Sequence, residues 1–238
     1  MEDTKELLTE NNTETNSGSR AIIISGGTID REQALALFKE NNYRYIVGAD
    51  AGLRFLYSEN IVPTHIVGDF DSLGSGSEIL DSYMGNPNIV IRIFNPVKDK
   101  TDTEIAIRLC LELGAEDITI LGWNGARVDH TIGNLQSLMA PLKAGIPCVL
   151  KDVCNEVRLV DGETKIRKSE AFGKYLSLFP FAGSVGNLTV EGVKYPLKGH
   201  TLLPNDSLGV SNEITDEVCR ISFDRGILLV IMSKDRDH

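Results

Sequence analysis

Ala21-Ile22-Ile23-Ile24-Ser25-Gly26-Gly27 decides the fold. A short apolar run ending in a glycine pair is the pattern of a strand covered on both faces, with Gly26-Gly27 as its exit loop. Working outward, Arg31–Asn41 has Ala34, Leu37 and Phe38 at helical spacing. Tyr45–Val47 reads as a second strand, running into Gly48-Ala49-Asp50-Ala51-Gly52, and Leu53–Glu59 as a short helix. Ile66-Val67 leads a third strand into Gly68-Asp69-Phe70-Asp71-Ser72, and Ile89–Phe94 is a fourth. Thr103–Leu113 is a helix with Ile105, Leu109 and Leu113 on one stripe. Ile118–Leu121 is a fifth strand, Thr131–Lys143 a helix, and Pro147–Leu150 closes the series. Strands alternating with helices imply a parallel sheet covered on both faces. The ligand site of such a sheet lies beyond the carboxyl ends of its strands.

Beyond about residue 155 the long helical stripes stop. Short alternating runs follow at Tyr175–Phe181, Leu188–Val190, Val218–Phe223 and Gly226–Met232. Asp224-Arg225-Gly226 is expected to join the last two as a hairpin turn. The expected class is α/β: a parallel-sheet N-terminal domain with helices on both faces, followed by a small all-β sandwich domain. The expected division is a mobile tail over 1–20, the α/β domain over 21–155 and the β domain over 156–238.

The chain has 238 residues, 24 Lys+Arg, 34 Asp+Glu and a net charge of −10. That charge disfavours partners that are themselves polyanions, nucleic acid and anionic membranes among them. No apolar run reaches the roughly 18 residues of a membrane-spanning helix. The N-terminal segment is polar and acidic, without the apolar stretch of a secretory signal. Cys110, Cys148, Cys154 and Cys219 form no CxxC pair. Four reduced thiols in a cytoplasmic protein is the expectation, with Cys110 and Cys219 buried in the core. The tail's Glu2, Asp3, Glu6, Glu10 and Glu14 against Lys5 and Arg20 leave −3, so most of the acid lies elsewhere.

Its placement is informative. Gly68-Asp69-Phe70-Asp71-Ser72, Lys98-Asp99-Lys100-Thr101-Asp102 and Gly122–His130 put carboxylates at strand ends. In an extended backbone Asp69 and Asp71 share a face about 7 Å apart, with Phe70 turned into the core. Taken singly, these residues also have simple structural readings. Thr101 with Glu104 fits a capping box, and Asp102 or Asp129 fits a helix N-cap. Taken together, Asp69, Asp71, Asp102 and Asp129 at one sheet end would repel. Two charges about 4 Å apart cost about 4 kcal/mol at an effective dielectric near 20. A cation is the compensation expected, and all-oxygen ligands select Mg²⁺, which carries phosphates in its remaining positions. Gly26, Gly27, Gly122 and Gly125 permit close backbone approach. The helix beginning near Thr103 offers amides to an anion, and Lys98, Lys100 and Arg127 supply positive charge. No P-loop, GxGxxG or kinase signature is present.

Val67–Leu73 (VGDFDSL), Asp99–Ile107 (DKTDTEIAI) and Gly122–Leu138 (GWNGARVDHTIGNLQSL) together resemble the thiamine pyrophosphokinase family. Gly48–Gly52 (GADAG) fits the preceding segment, and Gly209–Glu213 (GVSNE) stands where the family has its substrate-recognising Ser and Asn. The resemblance spans about residues 21–235. It implies Mg²⁺-dependent transfer of diphosphate from ATP to the thiamine hydroxyl, releasing AMP. On the matching positions it implies Asp69, Asp71 and Asp102 as metal ligands, with Thr101, Arg127 and Asp129 positioning the phosphates and the reacting hydroxyl. Gly26, Gly27, Asp50 and Lys98 fall to the ATP site, and Asp71, Asp102, Arg127 and Asp129 to catalysis. Ser211 and Asn212 would face thiamine, in a homodimer with composite sites. Asp71 or Asp129 would accept the hydroxyl proton, and the residues leave that choice open. An acidic pocket also suits a cationic thiazolium. Two other readings compete. One is a HAD-type phosphatase with Asp69 as nucleophile, where Leu73 stands in place of the usual Thr or Val. The other is a non-catalytic nucleotide-binding module.

Overall fold

A computed structural model describes residues 18–70, 78–93 and 100–236. Of the expected tail over 1–20, residues 1–17 lie outside the described residues, whereas Arg20 already belongs to the first strand. β1 (Arg20–Ile24) begins one residue before the apolar run, and Arg20 is tied by its guanidinium to Asp117 at 2.8 Å. β2 (Tyr45–Ala49), β3 (His65–Gly68), β4 (Val90–Ile93), β5 (Asp117–Leu121) and β6 (Cys148–Lys151) follow. All pair in parallel, in the order β4-β3-β2-β1-β5-β6. The chain thus builds outward from β1 to β4 and then returns to add β5 on β1's other side. The order reverses between β1 and β5, and the crevice beyond their carboxyl ends is where such a sheet binds ligands.

Helices cover both faces, as the alternating pattern predicts. α1 (Arg31–Glu40), α2 (Leu53–Ser58) and α3 (Glu78–Tyr83) pack Ala34, Leu53, Leu56 and Tyr83 against Ile22, Ile24 and Ile66. α4 (Asp102–Glu112), α5 (Val128–Ser137) and α6 (Met139–Lys143) lie on the opposite face. There Ala106, Ile107, Cys110 and Leu138 meet Ala21, Ile23, Val47 and Ile118. The helix expected over Thr131–Lys143 starts earlier and divides at Leu138. Pro141 has no N–H to donate to Ser137, so the α-helical ladder cannot run through.

The β region comprises β7 (Asn155–Val160), β8 (Thr164–Arg167), β9 (Tyr175–Glu191), β10 (Leu197–Leu202), β11 (Asn212–Glu213), β12 (Val218–Ser222) and β13 (Arg225–Ser233). The runs Tyr175–Phe181 and Leu188–Val190 are two parts of the single strand β9. It bends where Ala182 and Gly183 take positive φ, 57° and 129°. Its first half pairs with β13 and its second with β12 and β10. The resulting layers close on Leu176, Leu178, Leu188, Ile221, Leu228 and Val230. β12 and β13 do not form the expected hairpin: β12 pairs with β8 and β9, β13 with β7 and β9. The segment around Asp224 instead crosses between layers, because each neighbour is already committed to a different half of β9. β7 runs antiparallel to β6, so the parallel sheet continues into the β region without a break.

Candidate active site

The crevice between β1 and β5 is closed by two exit loops lying side by side. Ser25 N–H donates to Leu121 O at 2.9 Å, Gly27 N–H to Gly122 O at 2.8 Å and Thr28 N–H to Asn124 O at 2.7 Å. This contact requires glycine at two places. A Cβ on Gly27 would collide with the carbonyls of Gly122 and Asn124, and one on Gly122 with Ser25 O. Gly122 also sits at φ +68°, a region L-residues seldom occupy.

Over these loops stands the N-terminus of α4. Thr101 is its N-cap, accepting from Glu104 N–H at 3.2 Å, which is the capping role its sequence suggests. Asp102 is the first helical residue. Ser25 and Thr103 fasten the helix start to the end of β1 through a 3.0 Å hydroxyl–hydroxyl bond. The resulting cleft, about 340 Å³, is lined by Gly26, Gly27, Asp50, Thr101, Asp102 and Arg127 among others. Backbone amides, hydroxyls and a guanidinium lining one cleft suit a polyanionic phosphate ligand.

Arg127 is the N-cap of α5 and makes no side-chain cap bond. Its Nη2 and Nε instead donate to Asp129 at 2.6 and 3.2 Å. Both side chains are exposed, at 70% and 65%. The bond from Arg127 holds the Asp129 carboxyl down to about 2. Asp129 is therefore not the cap that a structural reading suggests, but a fixed anion beside the cation. It does not line the cleft itself, and neither does Asp69.

Asp69 follows β3, and Phe70 is buried as expected. Phe70 nevertheless sits at φ +62°, so the backbone between Asp69 and Asp71 is not the extended strand assumed for a shared face. Asp50 is likewise left-handed, at φ +46°. Non-glycine residues held in this region cluster at ligand sites. Asp71 and Lys98 lie outside the described residues. Among the described residues no group of three or more His, Cys, Asp or Glu gathers as a metal centre.

Ser211 and Asn212 lie in the β region and do not line the cleft. Ser211 takes φ +57°, and its N–H donates to Ser177 Oγ at 2.9 Å. The Asn212 amide is engaged locally: its Oδ1 accepts from Tyr195 N–H at 3.0 Å and its Nδ2 donates to Tyr195 O at 2.8 Å.

The thiamin pyrophosphokinase catalytic-domain model matches residues 38–150, and that family's vitamin B1 binding-domain model matches 163–228. The chain belongs to the thiamin pyrophosphokinase family. It is 32% identical over 214 residues to thiamine pyrophosphokinase of Bacillus subtilis (strain 168), covering 90% of this chain and 98% of that one. The crystal structure of the Bacillus subtilis thiamine pyrophosphokinase superposes with a TM-score of 0.80 at 30% identity, covering 91% of this chain and 100% of that one. That from Geobacillus thermodenitrificans gives 0.77 at 28% identity, over 92% and 99%.

The thiamin pyrophosphokinase match extends through both segments, which neither the phosphatase nor the binding-module reading requires. The catalytic-domain match contains the α4 cap, Asp102 and the Arg127–Asp129 pair, and the B1-binding match contains Ser211 and Asn212. Three further residues around the cleft stand outside the candidates that the motifs offer. Ser25 and Thr103 read as ordinary strand and helix residues. Trp123, the one tryptophan of the chain, is buried with an indole N–H that makes no hydrogen bond among the described residues. Its position one residue after the Gly122 turn was the available signal. No helix among the described residues is long and apolar enough to cross a membrane.

Proposed function

We propose that this chain, an ATP-dependent diphosphotransferase of the thiamine pyrophosphokinase type, carries out its reaction in the cleft beyond β1 and β5. The observation that carries the placement is the convergence of both glycine loops, the α4 N-terminus and Arg127 on that cleft. The thiamine hydroxyl oxygen attacks the β-phosphorus of ATP in line. The bond from that phosphorus to the oxygen bridging α and β breaks, and AMP leaves with the electron pair. A carboxylate, Asp71 or Asp129, takes the hydroxyl proton. The grip of Arg127 on Asp129 favours Asp71, since a carboxyl held near 2 is a weak base at neutral pH.

Gly26 and Gly27 admit the phosphates, Thr101 and the start of α4 bind them, and Arg127 draws off charge as the transition state forms. Asp50 and Lys98 complete the ATP site. The carboxylates of Asp69, Asp71 and Asp102 are hard oxygen donors that fit Mg²⁺. When bound, that ion neutralises phosphate charge. The α/β part, 21–155, is the ATP-binding half, and 156–238 the half for thiamine and dimerisation.

Ser211 and Asn212 meet thiamine in a homodimer, where the partner's β region faces the cleft. Two uncovered apolar surfaces support this. Val128 and Ile132 are exposed one turn apart on α5 beside Arg127, and Tyr195, Leu208 and Val210 are exposed around Ser211. Contiguous exposed apolar groups mark association surfaces. The free thiols suit the cytoplasm.

Product analysis tests the reading. Purified protein with ATP, thiamine and Mg²⁺ should release AMP and thiamine diphosphate in equal amounts. ADP as product, or AMP formed without thiamine, overturns it. Sedimentation should give a dimer, and a monomer retaining full activity would remove the composite site.

A further inference from the structure

The loop that carries Arg127 is held from a second side, by a residue that neither the motifs nor the matches single out. Asp152 lies just beyond β6, at the turn into β7. Its Oδ1 accepts from Cys154 N–H at 2.8 Å and Asn155 N–H at 2.9 Å. Its own N–H donates to Asn155 O at 2.9 Å. A carboxylate bonded to amides two and three residues onward makes a stiff Asx-type turn. Its backbone carbonyl is tied to α1 by Gln33 Nε2 at 2.6 Å. The Asn155 side-chain amide donates to both oxygens, at 3.0 Å to Oδ1 and 3.2 Å to Oδ2, and Oδ2 accepts its shortest bond, 2.7 Å, from Asn124 Nδ2. Asn124 O in turn accepts from Thr28 N–H. Asn124 is thereby gripped on one side by the β1 exit and on the other by the β6 exit, three residues before Arg127.

We propose that Asp152 is a positioning residue for the diphosphate transfer, acting through Asn124 to fix the loop that presents Arg127. This rests on the placement of the reaction given above. Asp152 touches no reacting atom. Its part is to hold the loop from the turn at which the chain enters the β region, so the phosphate cradle takes its register from that junction. A carboxylate held by several neutral donors in its own turn is well suited to anchor one more.

The test is a reversal of the pair. In N124D two carboxylates face each other. In N124D/D152N the donor and acceptor exchange places, while the amide oxygen introduced by D152N still serves the Cys154 and Asn155 amides. In D152N alone the Asn124 amide can turn to present its oxygen. N124D should lower kcat by roughly 10²-fold, the scale of a 1 Å misplacement, and raise KM for ATP while leaving KM for thiamine unchanged. The double variant should recover most of that loss, and D152N should stay near wild type. Each variant's melting temperature checks that it folds. Trp123, next to Asn124 and alone in the chain, gives a readout without catalysis. Its emission should shift in N124D and return in the double variant.

If N124D and the double variant are equally impaired and their emission is equally shifted, the latch is overturned. The same holds if N124D matches wild type in both measurements. If the wild type forms no AMP, the functional reading fails, and the emission series alone decides whether Asp152 sets the loop.

Discussion

Ser25 at the end of β1 and Thr103 in the first turn of α4 share a 3.0 Å bond between buried hydroxyls. Through it the central strand fixes the height of Thr101 and Asp102 above the cleft. S25A would leave the Thr103 hydroxyl buried and unpaired, at a cost of about 1–3 kcal/mol. A melting temperature lower by roughly 2–4 °C per kcal/mol is expected. S25A/T103V, which removes both partners, should fall less than the sum of the single variants. Calorimetry of the three checks this, and strict additivity would contradict the pairing.

The Arg127–Asp129 pair is exposed, so its loss should act on turnover and not on folding. R127A should lower kcat by roughly 10²–10³-fold, the usual effect of removing one transition-state donor. The melting temperature should hardly move. D129N should weaken the orientation of Arg127 and give a smaller drop. Because Arg127 keeps Asp129 ionised down to about pH 2, the acidic limb of the wild-type rate profile should persist in D129N. A limb that disappears in D129N would identify Asp129 as the titrating base.

Gly27 lies where any side chain strikes the carbonyls of Gly122 and Asn124. G27A must therefore part the two exit loops. Both stability and turnover should fall, with turnover down by at least roughly 10²-fold on the misplacement scale. G133A offers a control: a Cβ there meets nothing, and replacing a helical glycine by alanine should stabilise slightly. Parallel melts and AMP assays of the two variants separate the cases.

His65 should give the protein a stability limb below neutrality. Burial and, secondarily, Arg92 lower its pKa from the ordinary 6.5. The folded state therefore binds this proton less readily than the unfolded chain. The contribution is whole above pH 6.5 and is lost as pH falls from there through the lowered folded value. Denaturant melts at pH 7.5 and 5.5 should show a loss that H65Q reduces. An unchanged pH slope in H65Q would exclude His65 as the source.

Burial pushes the Cys110 thiol up to about 12 and the Cys219 thiol up to about 11. Only thiolates react quickly with aromatic disulfides. Cys154, half-buried at the β6–β7 turn, should label first in the native protein, with Cys110 and Cys219 reacting only on unfolding. Mass mapping of the labelled peptides resolves the order.

The parallel sheet was legible because buried strands are written as local apolar runs, and Ala21–Ile24 is one. The glycines were legible because close backbone approach leaves few substitutes. What escaped were non-local choices. β9 looked like two strands because Ala182-Gly183-Ser184 interrupts its apolar pattern where it changes layers. β12 and β13 looked like a hairpin because they are close in sequence, yet each is paired to a different half of β9. The left-handed turn at Phe70 has no glycine to announce it. Asp152 carries no local signal at all, since its bond to Asn124 spans 28 positions and exists only once β5 and β6 lie side by side.

The β6–β7 pairing, with Leu150 opposite Val157 and Lys151 opposite Glu156, has a further consequence. A cut at residues 152–155 would not release two self-sufficient pieces. Each fragment would carry a raw strand edge where the other had been, an invitation to aggregate. Mixed promptly, the fragments should recognise each other through that same ladder and the Lys151–Glu156 ion pair of 2.9 Å. The enzyme is therefore a natural candidate for split-protein reconstitution, with the seam itself as the adhesive.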